Sequence, residues 1–244
     1  MFFIGLFVAL SAFFVVLLDY QSSYVLISTL FMVVLAIPCY CYFVKATKRK
    51  GLVVLLLLSF FSMFIETLGV VTGFPYGFFN YTDKLGFFVG VIPWTVSFGW
   101  VPLVIASWFL TEDFFNNKSW INKNNRDWFL LLKKVVVGGF VLMVFDLVLD
   151  PGSISINFWE WGINGFYYGI PFSNFLGWIF SGAIGVLIIY LFVKDKFGMS
   201  SNVLFSAFFG NLFWTVIVIM QGFVVPSIIG VSLLFYLGHK LMKK

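Results

Sequence analysis

The sequence predicts an all-α fold: a polytopic transmembrane helical bundle of about eight helices, with both termini cytoplasmic. Three observations carry this expectation. Only 10% of the 244 residues are charged and 61% are hydrophobic. A soluble domain carries about 25% charged residues, so too little polar surface is left here to face water. Apolar runs recur at the length that crosses the hydrocarbon core as a helix, about 20 residues. The basic residues gather on alternate connections between those runs, as the positive-inside rule describes for membrane proteins.

Eight apolar runs cover roughly residues 2–18, 24–44, 51–71, 88–110, 132–150, 173–193, 201–219 and 223–239. In hydrocarbon, backbone polar groups find partners only within the segment, so each run is expected to be helical. The first run has no basic segment before it, and Asp19 rather than a small-residue cleavage site follows it. It is read as a retained helix. The last two runs form one uncharged stretch that is too long for a single span at about 1.5 Å per residue. A tight turn is expected near Gln221-Gly222. Pro226 would then stand in the first turn of the eighth helix, where proline is tolerated.

Orientation follows from the cations. Lys45, Lys48, Arg49 and Lys50, then Lys118, Lys123, Arg126, Lys133 and Lys134, then Lys194 and Lys196, then Lys240, Lys243 and Lys244 all fall on one side of the eight-helix arrangement. Lys84 alone lies opposite. That side is expected to be cytoplasmic in a cell membrane. The net charge of +5 comes from cations flanking apolar runs, which argues against a nucleic-acid partner. Cys39 and Cys41 are two apart in one run and point to nearly opposite sides of a helix, so no disulfide is expected. The single histidine, His239, lies in the basic tail and provides no metal site. One domain accounts for the chain.

The acids divide differently. Glu112, Asp113, Asp127 and Asp195 fall on the basic side, while Asp19, Glu66, Asp83, Asp146, Asp150 and Glu160 fall on or near the other. Glu66, Asp146 and Asp150 lie within or at the end of apolar runs. A carboxylate there costs about 2.5–3.5 kcal/mol on insertion scales, so such acids usually face a protein interior and mark function. The two long connections on this outer side, at about 72–87 and 151–172, are rich in Gly, Pro and aromatics and poor in charge. They are expected to lie at the interface as an aromatic belt or to fold back over the helix ends as a lid. The 22% aromatic content fits either a pocket for a conjugated or prenyl ligand or a compositional bias.

Three stripes of polar and small residues follow helical spacing. Ser59, Ser62, Glu66, Gly69 and Gly73 share a face of the third run. Gly139, Leu142, Asp146 and Asp150 share one of the fifth, and Asn174, Gly177, Ser181 and Gly185 one of the sixth. Each has a packing alternative, since small residues let membrane helices approach closely. Asp150 also fits as a helix terminator before Pro151, and Asn174 fits either as a carboxylate partner or as a link to a neighbouring helix.

The motifs Glu66-Thr67 with Gly69 and Thr72-Gly73, FPYGFFNYTDKLG, GVIPWTVSFGW, DLVLDPG and FWEWGINGFYYGIPFSNFLGW resemble those of the membrane carotenoid-biosynthesis family that contains carotenoid 1,2-hydratases and bisanhydrobacterioruberin hydratases. The resemblance covers roughly residues 60–180. It departs from the family pattern at Phe79, where a tyrosine is common. It implies addition of water across the terminal C=C of an acyclic carotenoid held in the bilayer, giving a tertiary alcohol.

Protonating such an alkene makes a tertiary carbocation, so the site needs a neutral acid. Burial, or a second carboxylate nearby, keeps one carboxyl protonated. The expected catalytic residues are Glu66, Asp146 and Asp150. The deeper Asp146 would be the acid, and Asp150 the base that orients water. Trp159, Trp161 and Tyr168 would offer π faces to the cation. Asn174 would help position water, and Tyr81, Trp100 and Trp178 complete the candidate substrate-binding residues. The reaction calls for no metal or other cofactor.

The alternative is a non-enzymatic protein that binds or transports isoprenoids or lipids. A retinal protein would need a lysine deep in a late helix, and residues 201–239 contain none. A prenyltransferase would show paired Asp-rich motifs, and Asp146-x-x-x-Asp150 supplies at most half of one.

Overall fold

The computed structural model describes residues 2–17, 25–116, 128–193, 196 and 198–243. Asp19, Lys118, Lys123, Arg126, Asp127, Lys194, Asp195 and Lys244 lie outside the described residues. Within them are eight α-helices: α1 (Phe2–Leu17), α2 (Val25–Thr47), α3 (Arg49–Thr72), α4 (Val96–Asn116), α5 (Trp128–Ser155), α6 (Phe172–Phe192), α7 (Phe205–Met220) and α8 (Val224–Met242). Six of them, all but α1 and α4, are long and apolar enough to cross a membrane, α7 when taken with the 3-10 turn Ser201–Leu204 that leads into it. The chain is a polytopic helical membrane protein.

The other two helices differ for separate reasons. α1 has 16 residues and packs mainly on α7. α4 is the central post of the bundle. It contacts α2, α3, α5, α6 and α7, and its residues from Trp100 to Glu112 are buried. A helix surrounded by protein need not carry a lipid-compatible surface, so it can hold Ser107, Thr111 and Glu112. The fourth helix also starts later than expected. Residues 88–93 form a small hairpin of β2 (Phe88–Val89) and β3 (Ile92–Pro93). Gly90 makes the turn at φ 69°, a conformation that suits glycine.

α5 ends later than expected. Pro151 does not terminate it; the helix continues to Ser155. Proline lacks the N–H that would satisfy the Leu147 carbonyl four residues back. Tyr167 supplies the missing donor, its hydroxyl donating to Leu147 O at 2.9 Å. Asp150 is therefore an interior helical residue rather than a terminator. The turn between α7 and α8 falls at Gln221-Gly222, with Gly222 at φ 70°, and Pro226 sits in the first turn of α8. Both cysteines are free, Cys39 buried and Cys41 exposed.

Glycines draw α5 and α6 together. A Cβ on Gly138 would lie 2.8 Å from a Val186 methyl, and one on Gly182 would lie 2.8 Å from a Leu142 methyl. The close approach sets the α5 carboxyls against the first turn of α6. At the opposite end of the bundle the charges pair. Lys134 bonds Glu112, which also accepts from the Tyr190 hydroxyl at 2.6 Å. Lys196 and Lys240 both bond Asp113. These contacts bring the ends of α4, α5, α6 and α8 together at one basic end.

At the other end the two aromatic connections pair with each other. β1 (Phe79–Tyr81) runs antiparallel to β4 (Trp159–Trp161), with Phe79 opposite Trp161, Asn80 opposite Glu160 and Tyr81 opposite Trp159. Alternation along a strand sends Asn80 and Glu160 outward, where both are exposed, and turns the four rings inward over the helix ends.

Candidate functional site

Three helices and the strand pair position the site. Glu66 projects from α3, Asp146 and Asp150 from one face of α5, and Asn174 from the first turn of α6; all four are buried. The Asn174 amide donates to Asp146 Oδ2 at 2.8 Å and to Asp150 Oδ2 at 2.7 Å. From the strand pair, Trp159 Nε1 donates to Asp150 Oδ1 at 2.6 Å, and the Tyr81 hydroxyl donates to Glu66 Oε2 at 2.9 Å. These donors to the three carboxyls are neutral: an amide, an indole and a phenol. Burial, and next the charge of Glu66, hold the Tyr81 phenol well above its ordinary pKa, so it serves as a donor.

Tyr76 joins this group and was not anticipated from the sequence. Its ring is wedged between two helices at glycines. A Cβ on Gly177 of α6 would lie 2.5 Å from one ring carbon, and one on Gly69 of α3 would lie 2.9 Å from another. The Tyr76 hydroxyl neighbours Glu66 and Ser181, yet it meets hydrogen-bond geometry with neither. Asp146 Oδ1 and Ser181 Oγ are likewise buried without a partner. Members of the small-residue stripes thus do both of the jobs weighed for them: Gly69 and Gly177 seat Tyr76, and Asp146, Asp150 and Asn174 meet at the site.

A cavity of about 460 Å³ opens beside this cluster. Its wall is almost wholly apolar and includes Trp100, Phe145, Phe158, Trp159 and Trp178. Glu66 and Tyr81 reach this wall; Asp146, Asp150 and Asn174 do not. The expected assignment of Asp146 as acid and Asp150 as base falls on two carboxyls that do not line this cavity. The aspartates are held behind the wall by Asn174 and Trp159, while Glu66 is the carboxyl presented to the cavity.

The remaining candidates divide. Trp161 covers the cluster from β4, its ring 5.1 Å from that of Phe79. Its indole nitrogen is buried beside Asp150 without a hydrogen-bond partner. Phe79 itself is buried in this packing. Tyr168 does not join the site. At φ 51° it turns away to pack on Phe223 at 4.7 Å, and its hydroxyl accepts from Val225 N. Tyr168 therefore braces the α7–α8 turn.

A bisanhydrobacterioruberin hydratase from Haloarcula japonica is 35% identical over 153 residues, 62% of this chain and 48% of that protein. The chain spans about half the length of this relative. No solved structure matches it. Residues 23–237 match the family described as carotenoid biosynthesis protein. That match runs from the start of α2 into the last turns of α8 and takes in Glu66, Tyr81, Asp146, Asp150, Trp159 and Asn174, and the chain belongs to this carotenoid biosynthesis family.

Proposed function

We propose that this protein is a carotenoid hydratase. It adds water across the terminal C=C of an acyclic carotenoid, working in the cell membrane with its basic end cytoplasmic. One observation carries the reading: Glu66, braced by Tyr81, is a carboxyl presented to an otherwise greasy, tryptophan-lined cavity. The name of the Haloarcula relative supports hydration as the reaction.

In this reading Glu66 gives its proton to the less substituted alkene carbon. The π electrons form the new C–H bond and leave a tertiary cation on the other carbon. Trp100, Trp159 and Trp178 offer ring faces to that cation, each contributing about 0.5–2 kcal/mol. Asp150 lies behind Trp159, and its hydrogen bond to the indole N–H draws negative charge toward the ring and steadies its orientation. Water attacks the cation, and the proton it sheds returns to the Glu66 carboxylate. The acid is regenerated and the sum is alkene plus water to alcohol. Tyr81 holds Glu66 in place through both steps.

Expression in cells that make lycopene, followed by mass spectrometry of the pigments, tests the proposal. The expected product is heavier by one water per hydrated end, and Glu66→Gln abolishes it. Unchanged lycopene in cells containing folded protein would return the cavity to a binding or transport role.

A further inference from the structure

The cavity is open toward the outside of the bundle. Its wall includes Phe7 of α1 and Ile27, Leu30 and Val34 of α2, and these side chains are also 64%, 64%, 62% and 59% exposed. α1 leans mainly on α7, and α2 on α3, α4 and α7. A cleft is left between α1 and α2, floored in part by Gly210 and Trp214 of α7. A Cβ on Gly210 would meet nothing within 4 Å, so the floor there is open space. In a membrane protein this face borders hydrocarbon.

The wall covers Phe7 to Val15 on α1, Ile27 to Leu35 on α2 and Ser206 to Trp214 on α7. At about 1.5 Å per residue that is about 12 Å along the helix axes, against about 30 Å for the hydrocarbon core. The groove is shorter than a long polyene, and Glu66 is its polar landmark. A substrate already dissolved in the bilayer need not cross water to reach it.

We propose that the α1–α2 cleft is a lateral binding groove for one end of a linear polyisoprenoid. The chain enters sideways from the bilayer. Its terminal segment lies over Gly210 with its end at Glu66, and the remainder stays in lipid between α1 and α2. The groove deepens the hydratase reading and rests on it only for the chemistry done at Glu66. One groove holds one end, so a two-ended substrate must leave and re-enter reversed before its second end is processed.

The test uses the full chain carrying Glu66→Gln in lipid nanodiscs, with lycopene as probe. Retained pigment is read by absorbance and induced circular dichroism. Gly210→Phe and Ser11→Trp fill the groove from α7 and α1, while Leu56→Phe changes an exposed face of α3 that lies away from it. Retention is expected to fall at least tenfold in the groove variants and to hold in Leu56→Phe. Equal retention in all three would overturn the groove. Should the groove variants fail to fold, a photo-crosslinking side chain at Leu30 or at Leu56 gives a second reading. A pigment adduct at Leu30 alone is expected, and one at Leu56 alone would overturn the proposal. Pigment held in the groove, with no water gained by lycopene in the unsubstituted protein, would sink the hydratase reading and leave the groove standing. Hydration undiminished in Gly210→Phe would do the reverse.

Discussion

Tyr81 and Trp159 stand opposite each other across the β1–β4 pair, and each donates a hydrogen bond to a different carboxyl. Tyr81 reaches Glu66 on α3 and Trp159 reaches Asp150 on α5, with their rings 5.6 Å apart. A single cross-strand pair thus ties two helices and two acids into one unit. Such a pair stabilises a short ladder through its side chains, and here the same side chains carry the polar contacts of the site.

Tyr81→Phe therefore isolates one bond. The ring and its packing on Trp159 stay, and the donor to Glu66 goes. A hydrogen bond to a charged group contributes about 1.5–3 kcal/mol, so the turnover number should fall about 10- to 100-fold. Lycopene retention in nanodiscs should change little, because the apolar wall is intact. Unaltered turnover would mean that Glu66 needs no help from Tyr81.

Gly177→Ala tests how Tyr76 is seated. The added methyl would press on both the Tyr76 ring and the Pro75 carbonyl, which lies 2.8 Å from the Cβ position. Overpacking of this kind costs about 1–3 kcal/mol. The variant should melt several degrees lower and lose activity together with stability. Gly210→Ala, where the added methyl meets open space, should melt like the unsubstituted protein. Equal melting temperatures for the two variants would contradict this packing.

Much of the scaffold was legible because the membrane leaves so few options. Apolar runs must be helices, and the turn at Gln221-Gly222 and the tolerated Pro226 followed from local chemistry. The carboxyls were legible for the same reason, since Glu66, Asp146 and Asp150 stand out against hydrocarbon. Pro151 misled because its cost depends on whether another group satisfies Leu147 O, and Tyr167 lies 16 residues further on. A lid over the helix ends was one of the two expectations for the aromatic connections, but its strand pairing was missed although Phe79-Asn80-Tyr81 and Trp159-Glu160-Trp161 both alternate apolar and polar. Two three-residue segments far apart announce a strand pair only once the helices bring them together. Tyr76 gave no signal beyond its place in an aromatic connection, and its role rests on the gaps at Gly69 and Gly177. Which carboxyl meets the cavity depends on helix rotation and on the placement of α1 and α7, and the stripes on α3, α5 and α6 do not encode either.

Orientation is a separate prediction. The described cations at the basic end include Lys45, Arg49, Lys134, Lys196 and Lys240, while Lys84 lies at the capped end and donates to Ile156 O at 3.0 Å. Positive-inside bias then places the cap outside. Reporter fusions at Asn80 and Lys243 should report opposite sides of the membrane, with Lys243 cytoplasmic. The same side for both would break the eight-helix path.

The two aspartates should respond differently to amidation, because they accept different numbers of hydrogen bonds. Asp150 accepts on both oxygens, from Trp159 at Oδ1 and from Asn174 at Oδ2. Asparagine has only one oxygen, so Asp150→Asn strands one buried donor, at a cost of about 1–3 kcal/mol. Asp146 accepts from Asn174 at Oδ2, and its Oδ1 has no partner. Asp146→Asn can keep the oxygen toward Asn174 and turn its NH₂ toward the Tyr76–Ser181 side, where unpartnered oxygens already lie. It should melt close to the unsubstituted protein, while Asp150→Asn should melt several degrees lower, at about 2–4 °C per kcal/mol for a chain of this size. Activity then separates the roles. Glu66→Gln should abolish hydration without loss of stability. Asp146→Asn should retain measurable turnover, since it does not touch the cavity, and Asp150→Asn should lose activity in step with its stability. Pigment analysis beside thermal melts of the three purified variants decides the matter. If Asp146→Asn is as stable as the unsubstituted protein and as inactive as Glu66→Gln, the deeper carboxyl is the acid and Glu66 loses that role.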